Sequence, residues 1–358
     1  MDTQQTDVKL MKGNEALAEA ALRAGMEAYF GYPITPQSEI LEYLIANGPK
    51  RGAVVLQAES EVASINMVYG AAGAGARVMI SSSSPGISLM QEGISYIAAA
   101  ELPCVIVNVQ RGGPGLGTIQ PAQADYFQAV KGGGHGDYRL IVLAPSSVQE
   151  MADFMFDGFR LTECYRIPVM ILSDGALGQM MEKVRMPEAG SLPHVKPDWA
   201  TTGKPHSRER NYITSLHIEP ERMEVINLHL QEKYAQLAKE VRYELMHTDD
   251  AEVVLVAFGL SARVCQKVLE LAREKGIRAG LVRPITLYPF PSEVLSQLAD
   301  TADAFLTVEM NAGQMVEDVR LAVNGKKPVF FKGRMGGMIP TPEEVLAELE
   351  TIVEQQLA

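Results

Sequence analysis

The chain has 358 residues, of which 47% are apolar and 21% charged, with a formal net charge of -12 and three cysteines. At roughly 150 residues per domain, this length predicts about two globular domains that need no disulfide staples. The acidic balance argues against a nucleic-acid footprint, which needs a clustered basic face, and no apolar run is long enough for a transmembrane helix.

Helix and strand patterns alternate over the first 180 residues. Helical spacing covers 14–25, 38–47, 62–76 and 87–100, with Ser38 as an N-cap candidate. Apolar strands are expected at 53–57, 77–81, 103–109, 140–143 and 168–173. A further helix runs from Ser146 or Ser147 to Arg160. Repeated units of this kind predict a mainly parallel sheet wrapped by helices. Pro187, Pro193, Pro197 and Pro205 mark residues 185–215 as a linker or extended arm. Residues 219–247 read as a charged helix. A second α/β unit follows, with strands at 253–258, 278–282, 304–308 and 328–331 and helices at 262–275, 291–298, 314–323 and 342–356.

Several familiar chemistries are absent. Cys104, Cys164 and Cys265 form no CxxC pair, which excludes the usual iron–sulfur and zinc signatures. Three scattered cysteines fit a reducing cytoplasm, each as a small buried apolar residue. The N-terminal residues show no secretory pattern. Gly112-Gly113-Pro114-Gly115-Leu116-Gly117 misses the GxGxxG spacing, no GxxxxGK[ST] occurs, and no GxSxG elbow occurs. His135 lies in a glycine-rich segment with no matched nucleophile.

Two positions carry more information. Gly31-Tyr32-Pro33-Ile34-Thr35-Pro36 follows a strand, and its two prolines fix the backbone. Thr35 therefore sits on a rigid mount where parallel sheets bind ligands, or in a purely structural turn. Gln57-Ala58-Glu59-Ser60-Glu61 ends a strand and opens a helix. Its glutamates serve either as caps favoured by the helix dipole or as a buried functional carboxyl.

These segments, together with Val62-Ala63-Ser64-Ile65, Ser84-Pro85-Gly86-Ile87-Ser88-Leu89-Met90 and Gln110-Arg111-Gly112-Gly113-Pro114, resemble in order and spacing the alpha-type subunit of 2-oxoacid:ferredoxin oxidoreductases. The resemblance runs from about residue 8 to 358. The stretch from Gly115 to Tyr126, with Gly132 to Tyr138, is most similar to the branched-chain members, which act on 3-methyl-2-oxobutanoate (2-oxoisovalerate). The 2-oxoglutarate or aryl-2-oxoacid members of the same family are the alternatives. A non-catalytic structural or regulatory paralogue is the alternative of another class, and a nicotinamide dehydrogenase is disfavoured by the missing GxGxxG.

The resemblance implies an α/β protein with a doubly wound pyrimidine-binding domain for thiamine diphosphate at 8–185, a linker and helix at 186–248, and a transketolase C-terminal-like domain at 249–358. It implies that Glu61 hydrogen-bonds N1′ of the pyrimidine and so promotes loss of the C2 proton, with Glu59 as the competing neighbour. It implies that Thr35 approaches substrate and cofactor and that Arg111 pairs with the substrate carboxylate. Tyr32, Pro33, Ile34, Thr35, Glu61, Ser84 and Gly86 are the implied cofactor-binding residues, and no metal ligand is expected in this chain. Asp174-Gly175 lacks the glycine that begins the family's diphosphate motif. A beta-type subunit is therefore expected to hold Mg²⁺ and the diphosphate. Gamma-type and ferredoxin-like delta subunits are expected to complete the enzyme, with [4Fe-4S] clusters on the partner subunits passing electrons to ferredoxin and coenzyme A as co-substrate. A cytoplasmic setting, without nucleic acid or membrane, is expected.

Overall fold

The computed structural model describes residues 8–204 and 206–356. The strand and helix alternation read from the sequence is present. Strand β1 (Val8–Lys12) and α1 (Gly13–Arg23) lead into β2 (Ala28–Gly31), α2 (Ser38–Asn47), β3 (Val54–Gln57), α3 (Glu61–Gly73), β4 (Val78–Ser82), α4 (Ser84–Ala99) and β5 (Cys104–Gln110). Next come α5 (Tyr126–Val130), β6 (Ile141–Leu143), α6 (Val148–Tyr165), β7 (Pro168–Asp174), α7 (Gly175–Gln179) and β8 (Met181–Arg185). Polar side chains set two of the helix starts. Ser60 accepts from the Ala63 N–H at 3.2 Å to cap α3, and Ser147 accepts from the Glu150 N–H at 3.1 Å to cap α6.

The larger sheet has the order β6-β7-β5-β4-β2-β3, all parallel. Strand β5 shows why it is central. Cys104 and Ile106 face a core with Ile65 of α3 and Ile94 of α4, while Val105, Val107 and Val109 face another with Leu17 of α1 and Met151 of α6. Every residue of β5 and β7 is buried, as a strand covered by helices on both faces requires. Each fully buried Val or Ile contributes about 1.5–3 kcal/mol. Strands β1 and β8 pair separately as an antiparallel ribbon.

The C-terminal part contains α8 (Pro220–Ala235), β9 (Tyr243–Met246), β10 (Val253–Val256), α9 (Gly259–Glu274), β11 (Ala279–Pro284), β12 (Thr286–Tyr288), α10 (Ser292–Leu298), β13 (Ala304–Glu309), α11 (Met315–Val323), β14 (Val329–Gly333) and α12 (Pro342–Gln356). The second sheet has the order β14-β13-β10-β11-β9, with β9 antiparallel at its edge. Strand β12 leaves this sheet and joins the first one, antiparallel to β6 with Thr286 opposite Leu143. One core cluster accordingly holds Tyr126 and Val142 together with Phe258 and Phe305.

Three expectations change. Residues 219–247 are not one helix. Strand β9 ends the segment, because Glu244 is drawn to the fully buried Arg283 of β11 at 2.8 Å while Arg283 also grips Glu150 of α6 at 2.6 Å. Cys164 is exposed on the last turn of α6, whereas Cys104 and Cys265 are buried. The proline-rich arm has no helix or strand among its described residues, yet it is pinned down. The buried Arg77 donates to the carbonyls of Leu192 and Pro193 at 3.0 Å each, and Arg166 stacks over Trp199 at 4.6 Å.

Candidate active site

The parallel strands of the first sheet end on one edge, and four sequence-predicted positions follow those ends: Thr35 after β2, Glu61 after β3, Ser84 after β4 and Arg111 after β5. The chain runs from β2 outward to β3 and then returns past β2 to β4. The crevice between the ends of β2 and β4 is thus a topological switch point, where open α/β sheets bind ligands.

The loop after β2 is held from below. The fully buried Gln37 donates to the Tyr32 carbonyl at 3.2 Å and accepts from Ser81 Oγ at 2.6 Å, and Ser81 bonds the Tyr29 hydroxyl at 2.7 Å. Asn14 holds the Pro36 carbonyl at 2.8 Å. Pro33 and Thr35 project as exposed residues, with Tyr32 and Ile34 half-buried.

Glu59 is exposed, whereas Glu61 is 7% exposed at the first turn of α3, where the helix dipole favours a carboxylate. Helix α4 approaches it through Gly86. A Cβ on Gly86 would lie 2.0 Å from Ser82 Oγ and 2.6 Å from Glu61 Oε1, so only glycine fits. Among the described residues the Glu61 carboxyl takes no hydrogen bond, and the buried hydroxyls of Ser82 and Ser83 have no partner. A buried carboxyl and two orphaned hydroxyls fit the edge of a polar ring. No group of three or more described His, Cys, Asp or Glu residues converges on a metal site.

The first turn of α4 also reaches the second half of the site. Ser84 Oγ accepts from the Arg111 N–H at 3.1 Å and donates to Asp125 at 2.6 Å. The Arg111 guanidinium donates to the carbonyls of Thr35 at 3.0 Å and Leu116 at 2.9 Å, leaving its buried Nε–H unpaired. Thr35, Ser84 and Arg111 therefore meet, and Gly86 joins them to Glu61 along one helical turn.

A cleft of about 500 Å³ opens beside Arg111. Its walls include Pro85, Ala122, Met310, Ala312 and Met335, and Arg111 is the only cationic residue among those lining it. The loop around Gly112 forms its roof by close approach to Gly336 and Gly337, where a Cβ on Gly112 would meet backbone at 2.8 Å. His135 lies elsewhere, on an exposed loop beside Ser95 and edge-on to Tyr96. Asp174 caps α7 through the Ala176 and Leu177 N–H groups, so its glycine pair serves a helix start.

Sequence reasoning assigned no role to Asp125, Asn108 or Gln123. Asn108 donates to Asp125 at 2.9 Å, and two amides, Asn108 and Gln110, in the otherwise apolar strand β5 were the available signal.

Residues 19–249 match the profile described as pyruvate flavodoxin/ferredoxin oxidoreductase, thiamine diP-binding, and residues 251–345 match pyruvate:ferredoxin oxidoreductase core domain II. The chain belongs to the 2-oxoacid:ferredoxin oxidoreductase family. A relative from Methanothermobacter thermautotrophicus, named ketoisovalerate oxidoreductase subunit VorB, is 51% identical over 96% of this chain and 97% of its own length. The 2-oxoglutarate synthase subunit KorA of Methanothermobacter marburgensis is 35% identical over 96% of this chain and 99% of its own. Among solved structures, a 2-oxoglutarate:ferredoxin oxidoreductase from Magnetococcus marinus, with 2-oxoglutarate, coenzyme A and succinyl-CoA bound, superposes with a TM-score of 0.88. The two are 28% identical, covering 98% of this chain and 66% of that one. A split-gene transketolase shares the fold, with a TM-score of 0.60 at 15% identity. The α/β architecture of this oxidoreductase subunit is that of its family.

Proposed function

We propose that this chain supplies the pyrimidine half of a thiamine diphosphate site in a branched-chain 2-oxoacid:ferredoxin oxidoreductase. The assembled enzyme converts 3-methyl-2-oxobutanoate and coenzyme A to an acyl-CoA and CO₂, passing electrons to ferredoxin. Residues 8–185 form the pyrimidine-binding domain, 186–248 the connecting arm, and 249–358 the transketolase C-terminal-like domain.

When bound, thiamine diphosphate would supply the nucleophilic carbon that decarboxylation of a 2-oxoacid needs. Glu61 hydrogen-bonds N1′ of the pyrimidine from its buried position in the first turn of α3. Gly86 and Ser84 bring the start of α4 against that ring, and the Tyr32-Pro33-Ile34-Thr35 loop borders it. Thr35 faces the reacting carbon. Arg111, with N–H donors left beyond the two carbonyls it holds, orients the substrate carboxylate.

The observation that carries the substrate reading is the cleft itself. Beside its one cation, Arg111, the cleft is lined by the Asp125 carboxylate and neutral polar and apolar residues, which suits a monocarboxylate, while 2-oxoglutarate would bring a second carboxylate with no cation to meet it. The 51% identical relative carries a ketoisovalerate name, which supports the same choice.

Partner subunits complete the enzyme. A beta-type chain holds Mg²⁺ and the diphosphate, gamma-type and delta-type chains complete the complex, and the iron–sulfur clusters lie on these partners, all in the cytoplasm. Leu56 and Val62 flank the Glu61 segment and are 40% and 46% exposed, apolar surface suited to cover by such a partner. A panel of 2-oxoacids assayed on the assembled complex tests the reading. The expected kcat/KM for 3-methyl-2-oxobutanoate exceeds that for 2-oxoglutarate by at least about 100-fold. A preference for 2-oxoglutarate or an aryl 2-oxoacid would overturn the assignment.

A further inference from the structure

Asp125 lines the cleft beside Arg111, and although it falls in the Gly115–Tyr126 stretch, the resemblance assigns it no role. It is half-buried, and desolvation pushes its carboxyl above the ordinary range while bonds from Ser84 and Asn108 pull it back. Both donors converge on Oδ2, Ser84 Oγ at 2.6 Å and Asn108 Nδ2 at 2.9 Å. The Asp125 N–H is held by Gln110 Oε1 at 3.0 Å. The carboxylate is thus held by two donors and the backbone by a third group, Asn108 and Gln110 both coming from strand β5.

What it fixes is the Ser84 hydroxyl. That hydroxyl has one proton, and giving it to Asp125 turns its lone pairs toward the Arg111 N–H at 3.1 Å. The Arg111 backbone is thereby set, and its guanidinium in turn holds the Thr35 carbonyl. Two residues before Asp125, Gln123 is bolted to the second sheet. Its N–H donates to the Met310 carbonyl at 3.1 Å, and its carbonyl accepts from Asn311 at 2.8 Å.

We propose that Asp125 is a positioning residue for substrate recognition, which acts through Ser84 to hold Arg111 and the Thr35 loop in the geometry that receives a 2-oxoacid carboxylate. The inference rests on the reading of Arg111 as the carboxylate partner. Asp125 does not touch the reacting atoms. Its tie to Gln123 makes the placement of Arg111 depend on the packing of the loop after β13.

The test uses the assembled complex with 3-methyl-2-oxobutanoate as varied substrate. Asp125→Ala is expected to raise KM about tenfold with kcat within about twofold, the pattern of lost binding rather than lost chemistry. Asp125→Asn, which keeps an acceptor oxygen, is expected to restore KM to within about threefold. The rate of C2 proton exchange should not change in either, which separates positioning from damage at Glu61. Arg111→Ala runs alongside and is expected to raise KM by at least about thirtyfold. A tenfold-higher KM in Arg111→Ala with an unmoved KM in Asp125→Ala overturns the inference and leaves the Arg111 reading standing. An unmoved KM in Arg111→Ala overturns both. Should Asp125→Ala fail to assemble, Ser84→Ala replaces it, with an expected rise of about fivefold in KM. An unchanged KM there overturns the proposal equally.

Discussion

Gly86 and Asp174 are two residues at strand ends whose environments set measurable outcomes. At Gly86 the gap between α4 and Glu61 is narrower than a methyl group. Gly86→Ala therefore forces Ser82 and Glu61 apart without altering the carboxyl itself. The expected result is at least about a tenfold loss in thiamine diphosphate affinity of the assembled complex, measured by cofactor titration. Unchanged affinity would show that α4 does not abut the cofactor. Asp174 is fully enclosed, and desolvation lifts its pKa from 3.8 to about 6 despite bonds from the backbone of Leu177, Ala176 and Leu260. A folded-state pKa above the unfolded one means the native state binds the proton more tightly. The stability this gives is complete below the unfolded value and disappears as pH rises through about 6. The difference is roughly 3 kcal/mol at about 1.36 kcal/mol per pK unit. Asp174→Asn keeps the cap and removes the ionisation. Its urea midpoint is expected to exceed that of the unchanged chain at about pH 8 and to converge with it at about pH 4. Parallel curves at both pH values would contradict the shift.

Loops after strands hold the two sheets together, and Gln123 is the clearest case. Its side-chain amide donates to the Phe258 carbonyl at 2.8 Å and its oxygen accepts from Ser261 Oγ at 2.7 Å and the Met310 N–H at 3.1 Å. Gln123→Ala leaves these buried groups unpaired, at about 1–3 kcal/mol each. A fall of several degrees in melting temperature is expected by calorimetry, and an unchanged melting temperature would contradict it. Such long-range bonds explain what was legible beforehand. Strands β5 and β7 announce themselves by apolar runs, whereas Ser38, the expected N-cap of α2, is the first residue inside that helix, and Gln37 takes the cap position without a side-chain cap bond. Strands β9 and β12 carry no comparable signal, since their pairing is set by Arg283, Arg242 and the edge of β6. In the site, Thr35, Glu61, Ser84 and Arg111 lie where motif order and strand ends point. Asp125 and Gln123 act through partners more than a dozen residues away, which local pattern does not reveal.

Over the whole molecule, two sheets share one core, and the cleft between them opens beside the strand-end residues. The solved relative shares this overall fold with a TM-score of 0.88. A buried carboxyl without a hydrogen bond and an arginine fixed by backbone carbonyls are the features on which the proposed thiamine diphosphate half-site rests. The most direct test is the rate of C2 proton exchange of thiamine diphosphate in the assembled complex carrying Glu61→Gln, followed by NMR after rapid acid quench. The account predicts an intact complex that still holds the cofactor but exchanges at least about 100-fold more slowly. Exchange at the unchanged rate would contradict the role given to Glu61.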